Sequence, residues 1–168
     1  MITVLTGFMM CGKSSYGRAL AARLCVPFID LDDHIEEGIA AGDIIRTKGE
    51  ETFRAEETAA LEKVLSREGD FVLALGGGTP VREANRRLLA ASPCRVVWLK
   101  ASLEESVFNP EWSSLTARRP LLAGGDRERV VALFHSRIPA YSSVADHTLV
   151  TDGKTPEEIL SKLEALAR

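Results

Sequence analysis

An apolar run at residues 2–6 leads directly into Gly7-Phe8-Met9-Met10-Cys11-Gly12-Lys13-Ser14, and helically spaced apolar residues begin immediately behind it. The spacing is G-x4-G-K-[ST], in the strand–loop–helix context that gives this pattern its meaning. Glycines let the backbone curl so that successive N–H groups point inward at an anion, and the following helix adds the positive end of its dipole. Lys13 can span the β and γ phosphates of a nucleotide, and the Ser14 hydroxyl oxygen can serve a magnesium ion. Gly7, Met10, Cys11, Gly12, Lys13, Ser14 and Ser15 are therefore the candidate nucleotide contacts, for ATP with Mg2+. The competing reading is a glycine-rich turn that merely caps a helix. Met9, Met10 and Cys11 are bulkier than small loop residues, but their side chains can point away from the phosphates. The Cys11 thiol, two residues from Lys13, is read as passive rather than reactive.

The rest of the chain alternates strand and helix patterns. Strands are expected at residues 2–6, 26–30, 71–75, 95–99 and 147–151. Helices are expected at 13–24, from 32 to 40, at 50–65, at 82–91, over 126–144 with an interruption near Pro139, and after the capping box Thr155-Pro156-Glu157-Glu158. Another helix starts at 103–107 and dissolves around Asn109-Pro110, and Asp43 can cap a short turn ending at Gly49. The run 71–75 is continuously apolar, as a strand buried on both faces requires, and stops at Gly76-Gly77-Gly78. Such alternation means an α/β chain with a parallel sheet, here a three-layer αβα arrangement around five strands. Residues 108–125 have no clear period.

At 168 residues the expectation is one domain spanning 1–168. The net charge of −3 argues against nucleic acid, which needs a basic face to displace counterions. Three cysteines without CxxC spacing indicate neither a disulfide framework nor zinc, and suit a reducing compartment. No basic leader and no long apolar span precede Gly7, so a cytoplasmic chain without a membrane partner is expected. His34, His135 and His147 lack ligand spacing and read as surface or capping residues.

Two acids stand at the carboxyl end of the second strand, where open α/β sheets bind ligands. Asp30 and Asp32 are two residues apart and share a face in extended chain. One could serve the magnesium shell and the other an acceptor hydroxyl that must lose its proton. Both could instead cap the next helix, the reading preferred for Asp33.

With Phe28-Ile29-Asp30-Leu31-Asp32 after the phosphate loop come Gly49-Glu50-Glu51-Thr52-Phe53-Arg54, Gly76-Gly77-Gly78, Arg119-Pro120-Leu121-Leu122 and Arg137-Ile138-Pro139-Ala140-Tyr141. In this order, over essentially the whole length, they resemble the shikimate kinase family. The resemblance implies a P-loop kinase fold with a substrate-binding region at about 31–60 and a lid at about 108–125. It implies phosphorylation of the 3-hydroxyl of shikimate by ATP, and a monomer. By the same likeness Asp32 contacts the substrate hydroxyls as candidate base, and Asp30 serves the metal through water. Arg54 and Arg137 bind the substrate carboxylate, and Glu57 orients Arg54. Gly76, Gly77 and Gly78 approach the substrate, and Arg119 reaches the transferring phosphate as a catalytic and nucleotide-binding residue, as Lys13 does. Residues 153–156, with Lys154 and Pro156, match the adenine-side loop.

Independent physics agrees: guanidinium groups pair bidentately with carboxylates, and glycines after a buried strand permit close approach. The chain departs from the family early in the lid. A further basic residue is not matched, residues 107–112 read Val-Phe-Asn-Pro-Glu-Trp, and the stretch runs a few residues longer, leaving Arg118 as its candidate substitute. Another small-molecule kinase, such as a gluconate or nucleoside monophosphate kinase, and a non-catalytic nucleotide-binding module are the rival readings.

Overall fold

A computed structural model describes residues 1–35, 49–112 and 127–168. Among the described residues five strands, β1 (Ile2–Thr6), β2 (Phe28–Asp30), β3 (Phe71–Ala74), β4 (Cys94–Lys100) and β5 (His147–Val150), form one sheet in the order β2-β3-β1-β4-β5. Every pairing is parallel. β1 and β3 are buried at every position. β3 therefore reads as an unbroken apolar run, while β1 buries Thr3 and Thr6 among its apolar residues. The helices are α1 (Lys13–Leu24), α2 (Glu50–Leu65), α3 (Glu83–Ala91), α4 (Arg127–Val144) and α5 (Pro156–Ala167).

Alternation along the strands sends side chains into two cores. Ile2, Val4, Phe71, Leu73 and Val96 meet Leu61 and Val64 of α2 and Leu89 of α3 on one face. Leu5, Val72, Val97 and Leu99 meet Leu20 of α1 and Leu163 of α5 on the other. This is the expected three-layer αβα arrangement. A third cluster joins Phe8 and Met9 of the phosphate loop to Trp98, Val130 and Tyr141, so α4 braces the loop from one side.

Several expected boundaries move. β2 is three residues long rather than five, because Cys25 turns left-handed (φ 55°) and Val26 donates its N–H to the Ala21 carbonyl, finishing α1. The helix expected from 32 begins instead as a 3-10 turn at Leu31–His34; residues 36–40 and Asp43 lie outside the described residues. Residues 103–108 form turns, closed by the Phe108 N–H on the Leu103 carbonyl at 2.7 Å, not a helical start. α4 runs through Pro139 without interruption. Pro139 and His135, whose carbonyl loses its intrahelical donor, are both exposed, so water can take that hydrogen bond. Buried Val130, Arg137 and Tyr141 hold the helix on both sides of the proline.

Candidate active site

β1 delivers the chain to Gly7 at the carboxyl edge of the sheet. Gly7 has φ 149°, and a Cβ there would lie 2.6 Å from the Leu99 carbonyl oxygen on β4. Only glycine leaves the sheet this close to a neighbouring strand. Met10 (φ 63°) and Gly12 (φ 96°) are also left-handed, the alternation that turns backbone amides toward a common centre. The Lys13 ammonium donates to the carbonyls of Gly7 and Phe8, each at 2.9 Å, and lies 3.8 Å from Cys11 Sγ. The loop thus carries its own cation on its own backbone. Cys11 is buried beside Leu5, Val97 and Leu99.

Ser14 donates its hydroxyl to Asp30 Oδ2 at 2.6 Å, and Asp30 Oδ1 accepts the Asp32 amide at 3.3 Å. Asp30, not Asp33, is therefore the residue that caps the turn after β2. Each Asp30 oxygen thus has its own partner, the Ser14 hydroxyl on one and the Asp32 amide on the other. A serine hydroxyl and an aspartate carboxylate are hard oxygen donors of the kind magnesium takes, the remainder coming from water and phosphate. Among the described residues no group of three or more His, Cys, Asp or Glu is arranged to hold a metal ion by itself. The His34 ring, Nδ1 3.2 Å from the Asp30 carbonyl, stays local and exposed, as do His135 and His147.

The second half of the site is arranged around the glycine run after β3. A Cβ on Gly76 would sit 3.2 Å from Asp32 Oδ1 and 3.1 Å from Glu57 Oε2. One on Gly77 would sit 3.4 Å from Arg137 Nη1 and 3.5 Å from the Met9 amide, and one on Gly78 would strike Arg54 Nη2 at 2.5 Å. Arg54, on α2, donates to Glu57 Oε1 at 2.9 Å, with Glu57 only 1% exposed. Arg137, on α4, is 8% exposed, and Tyr141 one turn later donates its hydroxyl to the Gly77 carbonyl at 2.6 Å. Burial holds the Arg137 guanidinium below its ordinary pKa; neighbouring Tyr141 works the other way, and the Arg54 charge adds to the depression. Arginine keeps its proton regardless. Burial pushes the Tyr141 phenol well up, so it stays a donor.

A cleft of about 560 Å³ runs between the two halves, lined by Met10, Gly12, Lys13, Ser14 and Ser15 on the loop side and by Asp30, Asp32, Asp33, Gly76 and Gly77 opposite. Arg54, Gly78 and Arg137 adjoin it across the glycines. Lys154 and Pro156 follow the carboxyl end of β5, outside that lining, Pro156 opening α5 behind a turn tied to residues 102–105 by Ser102 N–H on Asp152 and Gly153 N–H on Glu105. Arg119, Arg118 and Pro120 to Leu122 lie outside the described residues. Met9, expected only to be able to point away from the phosphates, lines the cleft, and no sequence signal singled out Thr79 or the hydroxyl of Tyr141. Asn85 did carry a signal: it shares a face with Leu89 on α3, a polar residue where the period calls for an apolar one.

A curled phosphate cradle at the end of the central strand, facing two arginines across a glycine run on a parallel αβα sheet, defines a P-loop kinase for a small molecule. Within that class the chain belongs to the shikimate kinase family, whose model, described as Shikimate kinase, matches residues 9–167. It is 39% identical to the shikimate kinase of Dictyoglomus turgidum over 91% of this chain and 89% of that one. It is 41% identical to that of Thermobifida fusca over 94% and 89%. Among solved structures, the shikimate kinase from Acinetobacter baumannii in complex with shikimate is 30% identical and superposes with a TM-score of 0.87, covering 98% of this chain and 91% of that one.

Proposed function

We propose that this chain transfers the γ-phosphoryl group of ATP to the 3-hydroxyl of shikimate, releasing ADP and shikimate 3-phosphate. One observation carries the reading. The glycine run brings Asp32, Arg54 and Arg137 around a single short stretch of backbone, directly beside the phosphate loop. A ligand there needs a carboxylate for two guanidinium groups and a hydroxyl for an aspartate. Arg54 and Arg137 repel each other, so a carboxylate between them relieves a cost already built into the site.

The loop amides and Lys13 hold the β and γ phosphates in line with the acceptor. Asp32 orients the 3-hydroxyl and takes its proton. Arg119 covers the transferring phosphate, and Lys154 and Pro156 flank the adenine. Ser14 and Asp30 would hold magnesium, which when bound would offset phosphate charge. Catalysis is then mostly positioning and charge neutralisation, as phosphoryl transfer generally requires. The reading includes one domain over residues 1–168, with substrate-binding and lid regions at about 31–60 and 108–125, working as a cytoplasmic monomer. Three free thiols suit that compartment, and no helix among the described residues is long and apolar enough to cross a membrane.

The test is ADP release from ATP-Mg with shikimate, with gluconate, with a nucleoside monophosphate, and with no acceptor. Turnover should depend on shikimate. Turnover with gluconate or a nucleotide alone would refute the assignment, and no turnover with any acceptor would leave only nucleotide binding.

A further inference from the structure

The contact that fixes Arg54 does not end at Glu57. Glu57 is 1% exposed, and each carboxylate oxygen has a different partner: Oε1 accepts from Arg54 Nη1 at 2.9 Å and Oε2 accepts the Thr79 hydroxyl at 2.8 Å. Thr79 is fully buried, and its carbonyl accepts the Asn85 side-chain amide at 2.9 Å. Asn85, also fully buried, stands on α3, so the chain of bonds runs from α3 through the 3-10 turn Thr79–Val81 to α2 and ends on a guanidinium. The glycine run covers it: a Cβ on Gly76 would lie 3.1 Å from both Thr79 Oγ1 and Glu57 Oε2, and Gly78 rests against Arg54.

Resting on the proposed function, we infer that Thr79 is a positioning residue for the carboxylate-binding Arg54, acting through Glu57, with Asn85 fixing Thr79 from behind. A lone Arg54–Glu57 pair leaves the carboxylate free to rotate about its last torsion and swing the guanidinium plane with it. Bidentate recognition depends on that plane. The Thr79 hydroxyl holds the second oxygen and removes this rotation. Asn85 holds the Thr79 backbone, which sets where its hydroxyl starts. A buried polar network in which the carboxylate has both oxygens satisfied is rigid in a way that a half-satisfied one is not. None of these three groups needs to touch the substrate.

The test is steady-state kinetics with both substrates varied, on the unsubstituted chain, Thr79→Val, Thr79→Ser, Glu57→Gln and the double variant Thr79→Val/Glu57→Gln. Valine keeps the shape and removes the donor. Thr79→Val should raise the KM for shikimate by about tenfold, the scale of one hydrogen bond to a charged group, with the KM for ATP unchanged. Thr79→Ser should restore most of that loss. Because Thr79 acts through Glu57, the double variant should be little worse than Glu57→Gln alone. A shikimate KM for Thr79→Val equal to that of the unsubstituted chain overturns the inference. So does an equal rise in both KM values, or a multiplicative double variant. Should Thr79→Val fail to fold, Asn85→Ala takes its place with the same expected split between the two KM values, and a normal shikimate KM there counts against the inference. No shikimate-dependent turnover by the unsubstituted chain overturns the proposed function, and this inference with it.

Discussion

A methyl group at position 78 is a probe of one residue's purpose. It would meet Arg54 Nη2 at 2.5 Å, but that atom is the end of a long side chain and can move. Gly78→Ala should therefore fold normally and keep its affinity for ATP, while the shikimate KM rises at least about tenfold as the guanidinium is displaced. Gly7→Ala should behave in the opposite manner. Its methyl would strike the Leu99 backbone, which cannot yield, at a φ that alanine disfavours. Thermal stability and nucleotide binding should then fall together, read by melting temperature and by ATP titration. For the chemistry itself, Asp32→Asn should remove most turnover and leave ATP affinity intact, and near-normal turnover would refute its role as base. Residues of this kind were legible in the sequence where a spacing rule or a strand end placed them, as for Lys13, Ser14 and Asp30. Thr79 was not legible. It owes its place to α2 and α3 meeting over the glycine run, which no local pattern encodes.

Elements announce themselves when one force dominates them. β3 was legible because full burial leaves only apolar residues there, and β1 because it runs straight into the phosphate-loop spacing. α5 was legible because its capping box is written in four consecutive letters: Thr155 accepts the Glu158 amide, and Glu158 accepts the Thr155 amide at 2.7 Å. Thr155→Ala should lower stability by about 1 kcal/mol in denaturant melts. The Thr155 backbone hydrogen bond holds the Glu158 carboxyl below its ordinary pKa, and Arg23 does the same to Glu157, binding α1 to α5. Both acids are depressed in the folded state, so their contribution is complete above the unfolded value and fades as pH falls through the folded one. The melting temperature should drop below about pH 4. It should drop less for the double variant Glu157→Gln/Glu158→Gln, measured against its own value at neutral pH. Elements with competing forces were misread. The proline in α4 outweighs local propensity on paper, but an exposed His135 carbonyl and two buried flanks reverse the balance. At 103–107 the apolar spacing suggested a helix, yet Leu103 and Val107 serve the cluster under the phosphate loop from a turn.

At the scale of the molecule, the parallel sheet places every site residue described here at one edge. β1 brings the phosphate loop, β2 the Asp30–Asp32 pair, β3 the glycines, and α2 and α4 bring the two arginines from the same layer. Nucleotide and acid substrate should therefore stabilise the same fold from two sides of one cleft. Each at a hundredfold excess over its Kd should add about 2.7 kcal/mol. In Arg54→Ala the increment from shikimate should vanish while that from nucleotide remains; loss of both would make Arg54 a structural residue. The strand ends were legible as the edge where the candidate site residues gather, but their neighbours across the sheet were not, since the order β2-β3-β1-β4-β5 depends on long-range pairing. The proposed chemistry is a single transfer between the two sides of that cleft. Phosphorus and proton NMR of the product formed from ATP-Mg and shikimate measures it directly. A new phosphate ester coupled to the ring proton at carbon 3, formed in step with ADP, is the predicted result; no ester, or one on another hydroxyl, would contradict it.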